Sequence, residues 1–285
     1  MSKISAFIRQ HPLITFIALT FAISWGGILL VIGRGEFAVN GEQSELLFSL
    51  MYLAMLGGPS IAGMVLTWVV DGKAGLRELG SQLLRWRVGG RWFAVALLVA
   101  PFAITAVLLT LSPISRDYIP RLFISDEKSF LLQFSIVVGL LVGIFEELGW
   151  TGFAVHILLK QGRDILTSGL IVGLLFGAWN FLVVFLMSGT PAGAGELSLA
   201  IFLPLTLFTW LPTYRVLMVW AYARTGSLLL AMLMYASLIA FWRILTPLAL
   251  SGWTLVTYYL VFTAVMWIII AVALRRQALP QPQQA

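Results

Sequence analysis

Long apolar stretches separated by short polar segments run along most of the chain. A helix that spans a bilayer needs about 20 predominantly apolar residues, and eight stretches reach that length. They cover residues 13–32, 46–70, 92–111, 130–159, 165–187, 197–222, 227–248 and 253–274. The pattern predicts an all-α fold, a polytopic membrane helix bundle of about eight transmembrane helices that forms one transmembrane domain over residues 1–285.

The composition points the same way. Hydrophobic residues make up 60% of the chain and charged residues 11%, whereas soluble domains have about 45–50% apolar and about 25% charged residues. So few charges cannot cover a water-facing surface, which excludes an ordinary cytosolic enzyme. The absence of cysteine from the sequence excludes thiolate metal sites and thiol catalysis.

The positions of lysine and arginine predict the orientation in the membrane. An even number of spans places both ends of the chain on one side. The polar segments on that side carry twelve lysines and arginines, against four on the other side. The positive-inside rule therefore predicts cytoplasmic termini. The net charge of +6 is then a topology signal and a surface for anionic membrane lipids, and it argues against a nucleic-acid partner.

Two segments outside the spans have distinct residue patterns. Residues 71–90 place leucines at helical spacing with arginines between them, which predicts an amphipathic segment along the cytoplasmic headgroups. Residues 275–285 are rich in proline and glutamine, which predicts a disordered tail.

Two adjacent acids, Glu146 and Glu147, lie inside the fourth predicted span. A charged side chain at bilayer depth costs roughly 2.5–3.5 kcal/mol, so such residues are rare and usually functional. Because neighbouring carboxylates interact, we expect one to hold a proton near neutral pH while the other acts as a base. The alternative is that the pair only caps a broken or shortened helix at the membrane surface.

Other polar side chains also fall inside predicted spans, namely Asn180, Arg215, Tyr235 and Arg243. On ideal helices Glu146, Asn180 and Tyr235 lie about 13–22 Å from the cytoplasmic boundary, so these three side chains are expected to meet. Each residue also has a structural explanation: an interhelical hydrogen bond for Asn180, packing for Tyr235 and outward snorkelling for Arg243.

Three sequence stretches resemble a known family: FEELGWTGF at 145–153, FGAWNFLVVF at 176–185 and SLLLAMLMYASLI at 227–239. Together with residues 57–92 they are similar to the CAAX-protease and bacteriocin-processing family, also called CPBP or Abi, whose members are multi-pass intramembrane endopeptidases. The resemblance implies the cytoplasmic membrane. It also implies that a glutamate-activated water hydrolyses a membrane-associated or prenylated peptide.

The family motif is a Glu-Glu pair followed by an arginine, then a histidine on the next helix, then a histidine and an asparagine on a later helix. The resemblance implies that the first glutamate activates water and the arginine steadies the second. The histidine and asparagine side chains position the water and stabilise the oxyanion, and a divalent metal has also been proposed there. Here Glu146 and Glu147 match. The four departures are Thr151 for the arginine, Asn180 and Tyr235 for the histidines, and Ile239 for the asparagine.

These departures change the expected chemistry. A zinc site needs about three nitrogen, sulfur or carboxylate ligands, so the sequence predicts no metal and no cofactor. Losing one oxyanion donor typically lowers the rate about 10²- to 10³-fold, which predicts weak or lost peptidase activity. Without the arginine, Glu147 is either protonated or paired with Arg215 or Arg243.

Three functions stay open at this point. The first is the family's endopeptidase chemistry with Glu146 as base, and the second is a pseudoprotease that binds or shields a membrane peptide. The third is a proton-linked transporter, against which the lack of an internal repeat counts.

Overall fold

The computed structural model describes residues 3–33, 42–188, 195–247 and 250–278, and every regular element within these ranges is helical. The α-helices are α1 (Lys3–Gln10), α2 (Pro12–Ile32), α3 (Glu42–Leu83), α4 (Gly90–Leu111), α5 (Arg121–Ile124), α6 (Lys128–Gly149), α7 (His156–Lys160), α8 (Ile165–Met187), α9 (Leu199–Phe208), α10 (Trp210–Thr225), α11 (Leu228–Leu245) and α12 (Gly252–Ala278). A 3₁₀ turn covers Arg116–Tyr118, and a π-helical segment covers Trp150–Val155 between α6 and α7.

Eight helical stretches of the described chain are long and apolar enough to cross a membrane. They coincide with the eight predicted spans to within a few residues at most ends, and the predicted all-α multi-pass fold is confirmed. Two of these spans are composite, since α6, the π-helical segment and α7 follow one another, as do α9 and α10. The cytoplasmic position of the termini stays a prediction.

Helix α3 breaks at Gly72, where φ is 64° and ψ is −151°. Only glycine adopts such a backbone conformation without strain. The predicted amphipathic segment 71–90 therefore starts at this break. Its helix ends at Leu83, and of its apolar side chains Leu79 is buried while Trp86 is exposed. Its position along the headgroups stays a prediction.

Helix α12 continues to Ala278. The first four residues of the tail predicted to be disordered are therefore helical. The rest of that tail, 279–285, lies outside the described residues.

Glycines bring α6 against α11. A Cβ atom at Gly143 would lie 2.6 Å from the carbonyl oxygen of Met232 and 3.0 Å from the Cβ of Ala236, and Gly139 makes an equally close approach to Ala236. Small residues four apart let the backbones of membrane helices touch. This contact sets Glu147, one turn after Gly143, beside the part of α11 that carries Tyr235.

A second glycine stripe, Gly169, Gly173 and Gly177, brings α8 against the α9–α10 span. A Cβ atom at Gly173 would lie 3.0 Å from the Cβ of Pro212 and 3.3 Å from the Cβ of Arg215. Helix α8 therefore supports the turn of α10 on which Arg215 stands.

Candidate active site

The helix geometry changes directly after the two glutamates. Helix α6 ends at Gly149, and the π-helical segment Trp150–Val155 follows with all six side chains buried. Gly149 lies against helix α3, because a Cβ atom at Gly63 would come within 2.7 Å of the Cα of Gly149. Single π-helical turns inside α-helices frequently mark functional sites. Here the π-helical segment places the side chain of Thr151 next to Glu147.

Glu147 forms a buried ion pair with Arg215. Its carboxylate is 0% exposed, and Nη1 of Arg215 donates to Oε2 at 2.8 Å. The same nitrogen lies 2.6 Å from Oε1 but does not direct a hydrogen at it, so Oε1 has a close positive charge without a hydrogen bond. The hydroxyl of Thr151 also donates to Oε2. Of the two alternatives for Glu147, protonation or pairing with Arg215 or Arg243, the structure has the pairing, and Arg215 is the partner.

Aromatic rings enclose the guanidinium of Arg215. Its Cζ lies 4.2 Å from the ring centre of Phe176 and 4.9 Å from that of Tyr235. Cation–π contacts are strongest where water is excluded, and Arg215 is only 2% exposed. The ion pair with Glu147 and the two rings together compensate a charge that is otherwise costly at this depth.

Glu146 has a different environment from Glu147. It is 7% exposed, and it interacts electrostatically with Arg215 and with the phenol of Tyr235. Its Oε2 is buried and accepts no hydrogen bond within the described part of the chain. Glu146 therefore keeps an oxygen available for a water or substrate proton, whereas the oxygen of Glu147 that lacks a hydrogen bond, Oε1, lies 2.6 Å from Nη1 of Arg215.

The remaining two motif positions, Asn180 and Ile239, make other contacts. Asn180 donates from Nδ2 to the carbonyl oxygen of Phe176 at 2.9 Å, a bond within its own helix. The residue of α8 that contacts the site is Phe176, one turn earlier, through Arg215 and Tyr235. Ile239 packs against the apolar core of the bundle. Of the three side chains expected to meet at one depth, Glu146 and Tyr235 lie close enough to interact electrostatically.

The donor set around the pair does not fit a divalent metal. Glu147 is held by the positive charge of Arg215, and the side chains next to the pair, Thr151 and Tyr235, are neutral oxygen groups. Within the described ranges no three histidine, aspartate or glutamate side chains lie close enough to bind a metal together.

A polar network lies at the end of the bundle beyond the π-helical segment. The Tyr222 hydroxyl donates to Oε1 of Gln82 at 2.7 Å and lies 3.3 Å from Nδ1 of His156. Gln82 in turn donates to Glu78 at 3.0 Å. Gln82, Glu78 and His156 line a cavity of about 210 Å³ that also includes Gly152 of the π-helical segment. Neither glutamate of the pair lines this cavity.

Sequence reasoning missed two parts of this arrangement. Tyr222 lies at the end of a predicted span and Gln82 in the predicted amphipathic segment 71–90, and polar residues are ordinary in both places, so no signal in the sequence distinguishes them. The π-helical segment consists mostly of apolar residues, as the rest of the span does, and only Gly149 before it and Gly152 within it indicate close packing.

A comparison with protein families gives one match. Residues 128–241 match the family model described as type II CAAX prenyl endopeptidase Rce1-like. The matched segment runs from the start of α6 into α11 and contains all six motif positions from Glu146 to Ile239. No curated protein matches the chain.

Proposed function

Because residues 128–241 match the type II CAAX prenyl endopeptidase Rce1-like family model and eight helices are able to cross a membrane, we propose that this chain is a glutamate-dependent intramembrane endopeptidase with weak turnover. Its substrate is a membrane-associated or prenylated peptide, and its site is in the cytoplasmic membrane. The observation that carries the proposal is the ion pair between Arg215 and Glu147. This pair restores, from a different helix, the positive charge that Thr151 does not supply.

Glu146 is the general base in this proposal. Its carboxylate takes a proton from water, and the resulting hydroxide attacks the carbonyl carbon of the scissile peptide bond. The C–N bond then breaks as Glu146 returns the proton to the leaving nitrogen. The phenol of Tyr235, which lies close enough to Glu146 to interact with it electrostatically, turns its O–H to the oxyanion.

Turnover is weak because the donors around Glu146 are reduced. Asn180 directs its amide to its own helix and Ile239 has no polar group. Each missing oxyanion donor lowers the rate about 10²- to 10³-fold. A base without these donors still provides acceleration, since general-base catalysis by itself contributes about 10²- to 10⁴-fold.

The missing donors at Asn180 and Ile239 also favour a second candidate, a pseudoprotease that binds a membrane peptide without cleaving it. In that case the ion pair of Glu147 and Arg215 serves to hold α6 and α10 together. The peptide then occupies the space beside Glu146 and is released intact.

A cleavage assay in proteoliposomes tests the proposal. The probe is a farnesylated peptide with a C-terminal extension, labelled so that hydrolysis and binding are measured separately. We expect Glu146→Gln to lower the cleavage rate at least 10²-fold without changing peptide binding. The matched control is Glu127→Gln, which alters an exposed acid at the start of the same helix and is expected to cleave at the wild-type rate.

Two results would contradict the proposal. Binding of the peptide by the wild-type protein with no hydrolysis over background favours the pseudoprotease. Equal cleavage by the wild-type protein and Glu146→Gln removes Glu146 from the mechanism.

A variant with Asn180→His, Tyr235→His and Ile239→Asn sharpens the test, because it restores the hydrogen-bond donors of the family motif at these three positions. Thr151 stays unchanged, since Arg215 already pairs with Glu147. We expect this variant to cleave faster than the wild-type protein.

A further inference from the structure

Two arginines meet at the end of the bundle that carries the connection between α4 and α6. Arg121, on the short helix α5, donates from Nη1 to the backbone carbonyl oxygen of Arg243 at 3.5 Å. Burial lowers the pKa of Arg121 from its usual value, and the positive charge of Arg243 lowers it further. The two guanidinium groups are therefore close enough to repel each other.

Neither arginine has an acidic partner among the described residues, where the ion pairs are Lys160–Asp71 and Arg215–Glu147. Arg243 stacks over the ring of Phe134, 5.2 Å from its centre, and its Nε is buried without a hydrogen bond. The carbonyl of Arg243 uses one of the five N–H groups of Arg121. Arg243 also interacts electrostatically with Tyr52. Within the part of the chain that the structure describes, most N–H groups of the two arginines have no hydrogen-bond acceptor and can bind an anion.

The surface beside the two arginines is apolar and exposed. Its side chains are between 44% and 69% exposed and belong to Phe123, Ile124, Phe130 and Phe134. On a protein with eight helices able to cross a membrane, exposed aromatic and aliphatic groups of this kind face lipid tails. A ligand for this place has an anionic head and an apolar body.

We propose that Arg121 and Arg243 bind the phosphate group of an anionic phospholipid on the membrane face opposite the chain termini. The planar guanidinium presents its donors in a fork that matches two phosphate oxygens. The negative charge of the phosphate removes the repulsion between the two arginines. The acyl chains lie along Phe130 and Phe134.

Native mass spectrometry of the full-length protein tests this site. The protein is stripped of lipid in detergent and titrated with phosphatidylglycerol or phosphatidylcholine, and the bound lipids are counted. We expect the wild-type protein to prefer phosphatidylglycerol, because the choline group brings a like charge to the arginines. Arg243→Gln is expected to weaken phosphatidylglycerol binding about tenfold or more, the loss of one charge-assisted hydrogen bond.

Three further measurements make the result decisive. Arg116→Gln, in the exposed 3₁₀ turn of the same connection, is the control and is expected to bind as the wild-type protein does. Arg243→Lys keeps the positive charge without the planar guanidinium, so we expect an intermediate affinity for phosphatidylglycerol. Arg121→Gln provides a second test if Arg243→Gln does not fold. Equal phosphatidylglycerol binding by all variants overturns the site, and saturation by inorganic phosphate without any preference for lipid overturns the lipid assignment.

Discussion

Arg215 and Arg243 both stand inside predicted spans, and the structure gives them opposite environments. Arg215 is 2% exposed, pairs with Glu147 and lies between two aromatic rings. Arg243 lies two turns beyond Tyr235 on α11, stacks on one ring and contacts no acid among the described residues. The first cation completes an internal ion pair, while the second is open to a ligand from outside. The role of a cation in a membrane helix therefore follows from its partner, since both arginines lie inside predicted spans.

The largest expected effect comes from breaking the internal pair. Arg215→Leu leaves Glu147 buried without a countercharge, and removing one partner of a buried ion pair costs about 3–5 kcal/mol. We expect this loss in the free energy of unfolding, measured by reversible denaturation in mixed detergent micelles. An Arg215→Leu protein as stable as the wild-type protein would contradict the pairing.

Removing both partners sharpens the comparison. Well-packed apolar residues often replace a buried ion pair with no net loss of stability. We therefore expect the double variant with Arg215→Leu and Glu147→Leu to recover most of the stability that Arg215→Leu loses. A double-mutant cycle measures this coupling, and simple addition of the two single effects would show that the side chains act independently.

A smaller effect is expected at Thr151. The nearly isosteric change Thr151→Val removes the hydroxyl that donates to Oε2 of Glu147, while Arg215 still pairs with that carboxylate. We expect a loss of about 1–2 kcal/mol in the free energy of unfolding. Thr213→Val is the control, because that buried hydroxyl donates at 2.6 Å to the neutral carbonyl of Trp210 in its own helix. An equal loss in both variants would argue against a charged partner for Thr151.

The smallest effect on stability is expected at Arg243. In lipid-free detergent Arg243→Gln removes one cation–π contact, worth about 0.5–1 kcal/mol at a partly exposed site. The melting temperature should stay close to that of the wild-type protein. A loss as large as that of Arg215→Leu would mean that Arg243 has an internal partner, and the contrast between the two arginines would be wrong.

Much of the architecture could be predicted because burial in lipid leaves a strong sequence signal. The spans were identified from apolar length alone. The adjacent acids Glu146 and Glu147 stood out because charges are rare at that depth. The break at Gly72 and the π-helical segment after Gly149 could not be predicted, since both depend on local packing that leaves hydrophobicity unchanged.

The candidate site was predicted only in part. Glu146 and Tyr235 were expected to meet and they do, but Asn180 was expected beside them and bonds to its own helix instead. Arg215 and Arg243 were equal candidates for pairing with Glu147. Helical spacing gives the depth of a side chain, and it does not give the direction in which the helix faces its neighbours.

By itself the sequence determined the class of the protein, the number of its spans and the presence of two carboxylates in the bilayer. Each of these follows from how single residues partition between water and lipid. The tertiary structure decided which arginine neutralises Glu147 and which helix faces meet at the site. Close contact at Gly143 and Gly173 sets those faces, and such contact depends on the rotation of whole helices against one another.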